Sequence, residues 1–144
     1  MVLDMTKDLN LNKSTNTNST AEKILSPVLY INGFHFFTSV GQYTGETAVS
    51  LATFARQVEA APIESIDFHF KRADFQKWIT DTIGDTELAT AIGHVEKELA
   101  GEPLKRRLLW VINARVKELE NQIQLASNLG VKNNQTDGLL VRCD

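Results

Sequence analysis

Cysteine is nearly absent from this chain, as are long apolar runs and any surplus of positive charge. The single thiol, Cys143, excludes an internal disulfide and leaves no thiol cluster to hold zinc. That fits a reducing compartment. No apolar stretch approaches the roughly 20 residues that span a bilayer. The N-terminus lacks a basic region followed by a continuous apolar segment, so no secretory signal is visible. The expectation is a cytoplasmic protein with no membrane contact. A formal net charge of −3 provides no general attraction to nucleic acid or anionic lipid. Large apolar groups are also scarce over residues 1–22, where Asn, Ser, Thr, Lys and Asp prevail. Such a segment cannot bury enough surface to offset its ordering entropy, so it reads as a flexible polar tail.

What remains supports one domain with a modest core, since 42% of the 144 residues are hydrophobic and 23% charged. The domain is expected over residues 23–129, with a frayed tail over 130–144. Ile24, Leu25, Val28, Leu29, Tyr30 and Ile31 form an apolar patch around Pro27, suited to dock as an extended arm or short helix. Phe34-His35-Phe36-Phe37 reads equally as a short strand or a helix start, so one extended segment near 34–39 stays open. Gly41, Thr44 and Gly45 mark a loop.

Helical grammar dominates from Ser50 onward. Ser50 suits an N-cap, and Leu51, Phe54, Ala55 and Val58 then share one face, ending before Pro62. Ile63, Ile66 and Phe70 make a second stripe behind a first-turn proline. Asp74 reads as the N-cap of a helix burying Phe75, Trp78, Ile79 and Ile83. Gly84 is placed to stop it, and Asp85 to cap the next, which buries Leu88, Ile92, Val95 and Leu99. Gly101 and Pro103 open a long final helix, with Gly130 as its stop. The expected fold is all-α: a small bundle of short helices plus one long C-terminal helix.

Four short motifs occur in a fixed order between Phe34 and Ile92. Ser50, Leu51 and Phe54 are followed by Ser65, Ile66 and His69 (Ser-Ile-x-x-His). Then come Asp74, Phe75, Trp78 and Ile79 (Asp-Phe-x-x-Trp-Ile), and Gly84, Asp85, Leu88 and Ala89 (Gly-Asp-x-x-Leu-Ala). This order resembles an uncharacterised prokaryotic domain family to which no activity is assigned. The resemblance implies a mainly helical domain of bacteria and archaea, and no particular reaction. Longer members carry extra histidines after the Ser-Ile motif, where this chain has Phe70 and Lys71, which weakens a metal site carried over from them.

The chemistry-bearing residues are weighed against simpler duties. On a helix His69 and Arg72 share a face, with Asp74 at the next cap. With Trp78 they are the candidate ligand-binding set, although the same trio suits a corner tied by a cap and an ion pair. His35 and His69, each between two phenylalanines, with Asp67, lack any specific metal-binding spacing. No metal or cofactor is expected, and no catalytic residue is assigned. Phe68, Phe70, Phe75 and Trp78 suit core packing. Gly41-x-x-Thr44-Gly45 lacks the Gly-Lys-Ser/Thr of a phosphate loop. Lys105, Arg106, Arg107, Arg115 and Lys117, beside Trp110, form a basic stretch that Glu102, Glu118 and Glu120 interrupt, which weighs against nucleic acid. Leu108, Ile112, Leu119 and Ile123 form an apolar seam, the candidate interface, covered by a partner, a second copy or the arm around Leu25–Ile31. The leading expectation is a non-enzymatic helical interaction or regulatory module acting through protein contacts. The alternative is a ligand-binding or enzymatic domain with its pocket around His69, Arg72 and Asp74.

Overall fold

The computed structural model describes the backbone over residues 20–143 and the side chains over residues 20–128. Most of the expected polar tail, residues 1–19, lies outside the described residues. The chain falls into two compact units, one of Ile24–Lys117 and one of Met1–Lys23 with Glu118–Asp144. In the second, Ala21 and Leu119 are buried. The fold and the site below belong to the first, apart from the end segments of the first and last helices.

The architecture is mixed α/β, which corrects the all-α expectation. Helix α1 runs over residues 20–25, and a 3-10 turn spans Tyr30–Asn32. Strands β1 (Phe34–Ser39) and β2 (Gln42–Ala48) then pair as an antiparallel hairpin. Helices α2 (Leu51–Ala60), α3 (Ile63–Lys71) and α4 (Asp74–Trp78) follow. A π turn (Ile79–Ile83), α5 (Thr86–Gly93) and the long α6 (Gly101–Cys143) complete the chain.

The extended reading of 34–39 is the one the chain adopts. Phe34 and Phe36 point inward and are buried, whereas His35 and Phe37 lie on the opposite face, half-buried, as a period of two requires. Gly41, at φ 78°, closes the turn with Val40. The segment expected as a loop around Thr44 and Gly45 is strand β2. Its register runs Phe34↔Ala48, His35↔Thr47, Phe37↔Tyr43 and Ser39↔Gln42, so β2 carries two extra residues opposite His35–Phe37. Gly45 sits in that irregularity at φ 93°. Such a polar segment becomes a strand only because β1 offers it a ladder. The 3-10 turn is pressed against β2 at Gly33, where a Cβ would lie 2.6 Å from the Thr47 Cγ2 and 2.7 Å from the Ala48 carbonyl.

Inside the hairpin an aromatic core assembles. The Phe34 ring lies 4.8 Å from Phe36, 5.5 Å from Phe54 of α2 and 5.1 Å from Phe75 of α4, and Phe54 lies 5.2 Å from Trp78. Leu104, Leu108 and Ile112 of α6 are buried at four-residue spacing.

Several helix ends follow the local signals. Ser50 and Thr53 form a full capping box. Gly84 takes φ 86° and Asp85 accepts from the Leu88 N–H at 3.2 Å. Three ends differ. The N-cap of α4 is Ala73, in the left-handed region at φ 60°, while Asp74 is the first helical residue and uses its carboxylate elsewhere. Helix α5 stops at Gly93 instead of continuing to Gly101. Helix α6 runs past Gly130, since an internal glycine costs only about 1 kcal/mol relative to alanine.

Candidate functional site

Helix α3 packs beside β1, with the His69 ring 4.7 Å from that of Phe34, and the corner to α4 brings His69, Arg72 and Asp74 together. His69 is buried, at 4% exposure. Its Nε2 accepts from the Phe37 N–H at 2.8 Å, so that nitrogen carries no proton. Nδ1 must then be the protonated nitrogen, and it donates to the Asp74 Oδ2 at 2.8 Å. Burial pushes the His69 pKa below its ordinary value. The Asp74 bond and charge oppose that shift, and the nearby Arg72 charge adds to it. The same Asp74 oxygen accepts from the Arg72 Nε at 3.1 Å. Arg72 also lies over the Phe68 ring, its guanidinium carbon 4.9 Å from the centroid.

This cluster ties a strand to a helix corner. A neutral ring spent at both nitrogens is unavailable as a base unless the bond to β1 breaks. Arg72 differs: its side chain is 54% exposed, and beyond Nε none of its nitrogens bonds to a described residue. It stands at an open cleft of about 330 Å³ lined by β1, the hairpin turn and the end of α3. His69 and Asp74 also line that cleft. Trp78, the fourth expected ligand residue, does not. It is buried in the aromatic core and donates from Nε1 to the Asn32 carbonyl at 2.9 Å.

The other expected residues are dispersed. His35 bonds Thr47 through Nδ1 at 2.7 Å, and the Asp67 carboxylate accepts from the Gly101 N–H at 2.9 Å, so both stand apart from His69 in duty. Among the described residues no three His, Cys, Asp or Glu side chains gather as a metal site. Of the expected interface, Leu108, Ile112 and Leu119 are buried and Ile123 is half-buried. Two cations of the basic stretch are spent internally. Lys105 is buried and donates to the Glu59 and Ala61 carbonyls at 2.9 and 2.6 Å, closing the end of α2. Arg115 makes a two-toothed contact with Asp85, at 2.8 and 3.0 Å, and pairs with Glu87.

One surface escaped sequence reasoning. On the outer hairpin face Tyr30, His35, Tyr43 and Phe37 form a chain of ring contacts with centroids 5.4–6.0 Å apart. The Tyr30 and Tyr43 hydroxyls share a hydrogen bond of 3.0 Å, and Tyr43 bonds Thr47 at 2.6 Å. The bonds from Thr47 and then Tyr43 hold the Tyr30 phenol below its ordinary pKa. Leu29, Tyr30 and Ile31 are 71%, 63% and 78% exposed, and Val40 projects at the hairpin tip. The signal available in the sequence was the apolar run Val28–Ile31 beside Pro27, which alone does not say whether it faces the core or the solvent.

No protein-family model, no curated protein and no solved structure matches this chain.

Proposed function

We propose that the protein is a non-catalytic interaction module that works through protein contacts, and that its contact surface is the outer hairpin face with the adjoining 3-10 turn. The observation that carries this is the run Leu29-Tyr30-Ile31, three successive large apolar side chains held in solvent. They are held there, not left loose. The Val28 N–H donates to the Val49 carbonyl at 2.7 Å, and Gly33 abuts β2, so the turn between them is fixed with its side chains outward. Fixed apolar groups lose little entropy on association.

Magnitudes set the extent of the surface. Burying each such side chain contributes roughly 1.5–3 kcal/mol. Association costs on the order of 4–15 kcal/mol. Three residues at best about match that cost, so a stable complex is expected to cover Tyr43, Phe37 and Val40 as well. A second copy of the chain or a different protein would serve.

The test is light scattering across the micromolar range together with affinity capture, on the native chain and on Leu29→Asp/Ile31→Asp. Expected is self-association or a captured partner that the double variant loses without a change in its melting temperature. A strict monomer with no partner would sink the reading.

A further inference from the structure

The cleft beside β1 has a feature that the corner cluster does not use. Asp74 takes the Nε edge of Arg72, and Phe68 supports the face of the guanidinium. The two terminal nitrogens bond no described residue, and Arg72 lines the cleft. A guanidinium held from two sides is oriented before a ligand arrives, and its forked N–H groups match the two oxygens of a carboxylate. Around it the lining is mainly apolar, with Phe34, Phe37, Phe68 and Val40. The only other charged residue of the lining is Asp74, already engaged by Arg72 and His69. A second anion there would be repelled unless it met the terminal nitrogens end-on, and this argues for one carboxylate and against di-anions. The volume, about 330 Å³, lies at the small end of ligand sites, which run from about 300 to 1,000 Å³.

We propose that this cleft binds a small apolar monocarboxylate, its oxygens on the terminal nitrogens of Arg72 and its apolar part over Phe37 and Phe68. Such chemistry occurs in free aromatic or branched acids and at the C-terminus of a chain ending in an apolar residue. The inference stands on Arg72 and its cleft; it shares Phe37 and Val40 with the proposed contact surface, but not Leu29, Ile31 or Arg72. Arg72→Gln tests the cleft alone and Leu29→Asp/Ile31→Asp the contact surface alone, so the two readings fail separately.

The experiment is titration of the full chain, followed by backbone amide shifts, with three probes: N-acetyl-L-phenylalanine, its C-terminal amide, and a short peptide ending in phenylalanine. Expected is saturable binding of the acid, with shifts at Phe37, Phe68 and Arg72. The amide should bind about tenfold more weakly, as should the acid on Arg72→Gln. Val40→Glu, which leaves the Arg72–Asp74 contact in place and alters an exposed position, should weaken the acid to a similar degree. A peptide binding more tightly than the free acid would identify a chain terminus as the natural source, and the reverse a free acid. Equal binding of acid and amide, or acid binding that survives both substitutions, or no saturable binding of either carboxylate, would overturn the proposal.

Discussion

At the scale of single residues, the imidazole of His69 joins β1 to the α3–α4 corner, with Nε2 accepting from Phe37 and Nδ1 donating to Asp74. Protonating Nε2 would turn its N–H against the Phe37 N–H in a buried place. Burial, with the nearby Arg72 charge, holds the pKa below its ordinary value against the opposing Asp74 contact, and the unfolded chain takes the proton more readily. The stability contributed by the neutral ring is then complete above about pH 6.5 and is lost as the pH falls from there through the folded value. Urea unfolding should show a falling midpoint below that pH, with a steeper dependence in the native chain than in His69→Gln. An equal slope in both would remove this account. At neutral pH, His69→Leu should cost about 1–3 kcal/mol, because it strands the Phe37 N–H and takes one of two donors from the Asp74 Oδ2. The two Phe-His-Phe triplets also show how far residue order can mislead. In a strand the flanking phenylalanines share one face and His35 takes the other. In α3 the geometry is helical, and His69 is the buried member while Phe68 and Phe70 are half-buried.

Among the elements, helix ends divide into those with local partners and those with distant ones. The Ser50 cap, the Gly84 stop and the Asp85 cap lie within a few residues of the groups they satisfy, and all three were readable, although the Thr53 half of the Ser50 box was not. The end of α2 is different. Its carbonyls at Glu59 and Ala61 are met by the Lys105 ammonium, more than 40 residues along the chain. In the sequence that lysine is one member of a basic stretch. Lys105→Met keeps its apolar stem but removes both bonds, and should lower stability by about 1–3 kcal/mol in chemical denaturation. Lys105→Ala should cost more, since the stem is lost as well. A neutral Lys105→Met would show that water satisfies the α2 carbonyls equally well. Strand β2 belongs with the distant cases: its residues, Gln42–Ala48, have a strand's conformation only because β1 pairs with them.

For the molecule as a unit of folding, the strongest polar tie between distant parts of Ile24–Lys117 is Arg115 of α6 with Asp85 and Glu87 at the start of α5. Asp85 is almost wholly buried and also caps its own helix. Removing one partner of such a pair leaves a charge without compensation. Arg115→Met should therefore cost about 3–5 kcal/mol, measured by urea unfolding, and Asp85→Asn in that background should recover part of it. Additive losses in the double variant would show that the two side chains are not coupled.

The helical composition, the order of the short helices and most of their caps follow from the sequence by itself, because helix signals act over three or four residues. The phenylalanine alternation of 34–37 allowed a strand without deciding it. Tertiary structure alone decided that Gln42–Ala48 is a strand, that Lys105 and Arg115 are internal, and that His69 is closed while Arg72 stays open. It also decided that Leu29, Tyr30 and Ile31 face outward and Leu108 and Ile112 inward. Each of these depends on what a residue meets from another part of the chain, and an apolar side chain carries the same pattern whether that partner is its own core or another molecule.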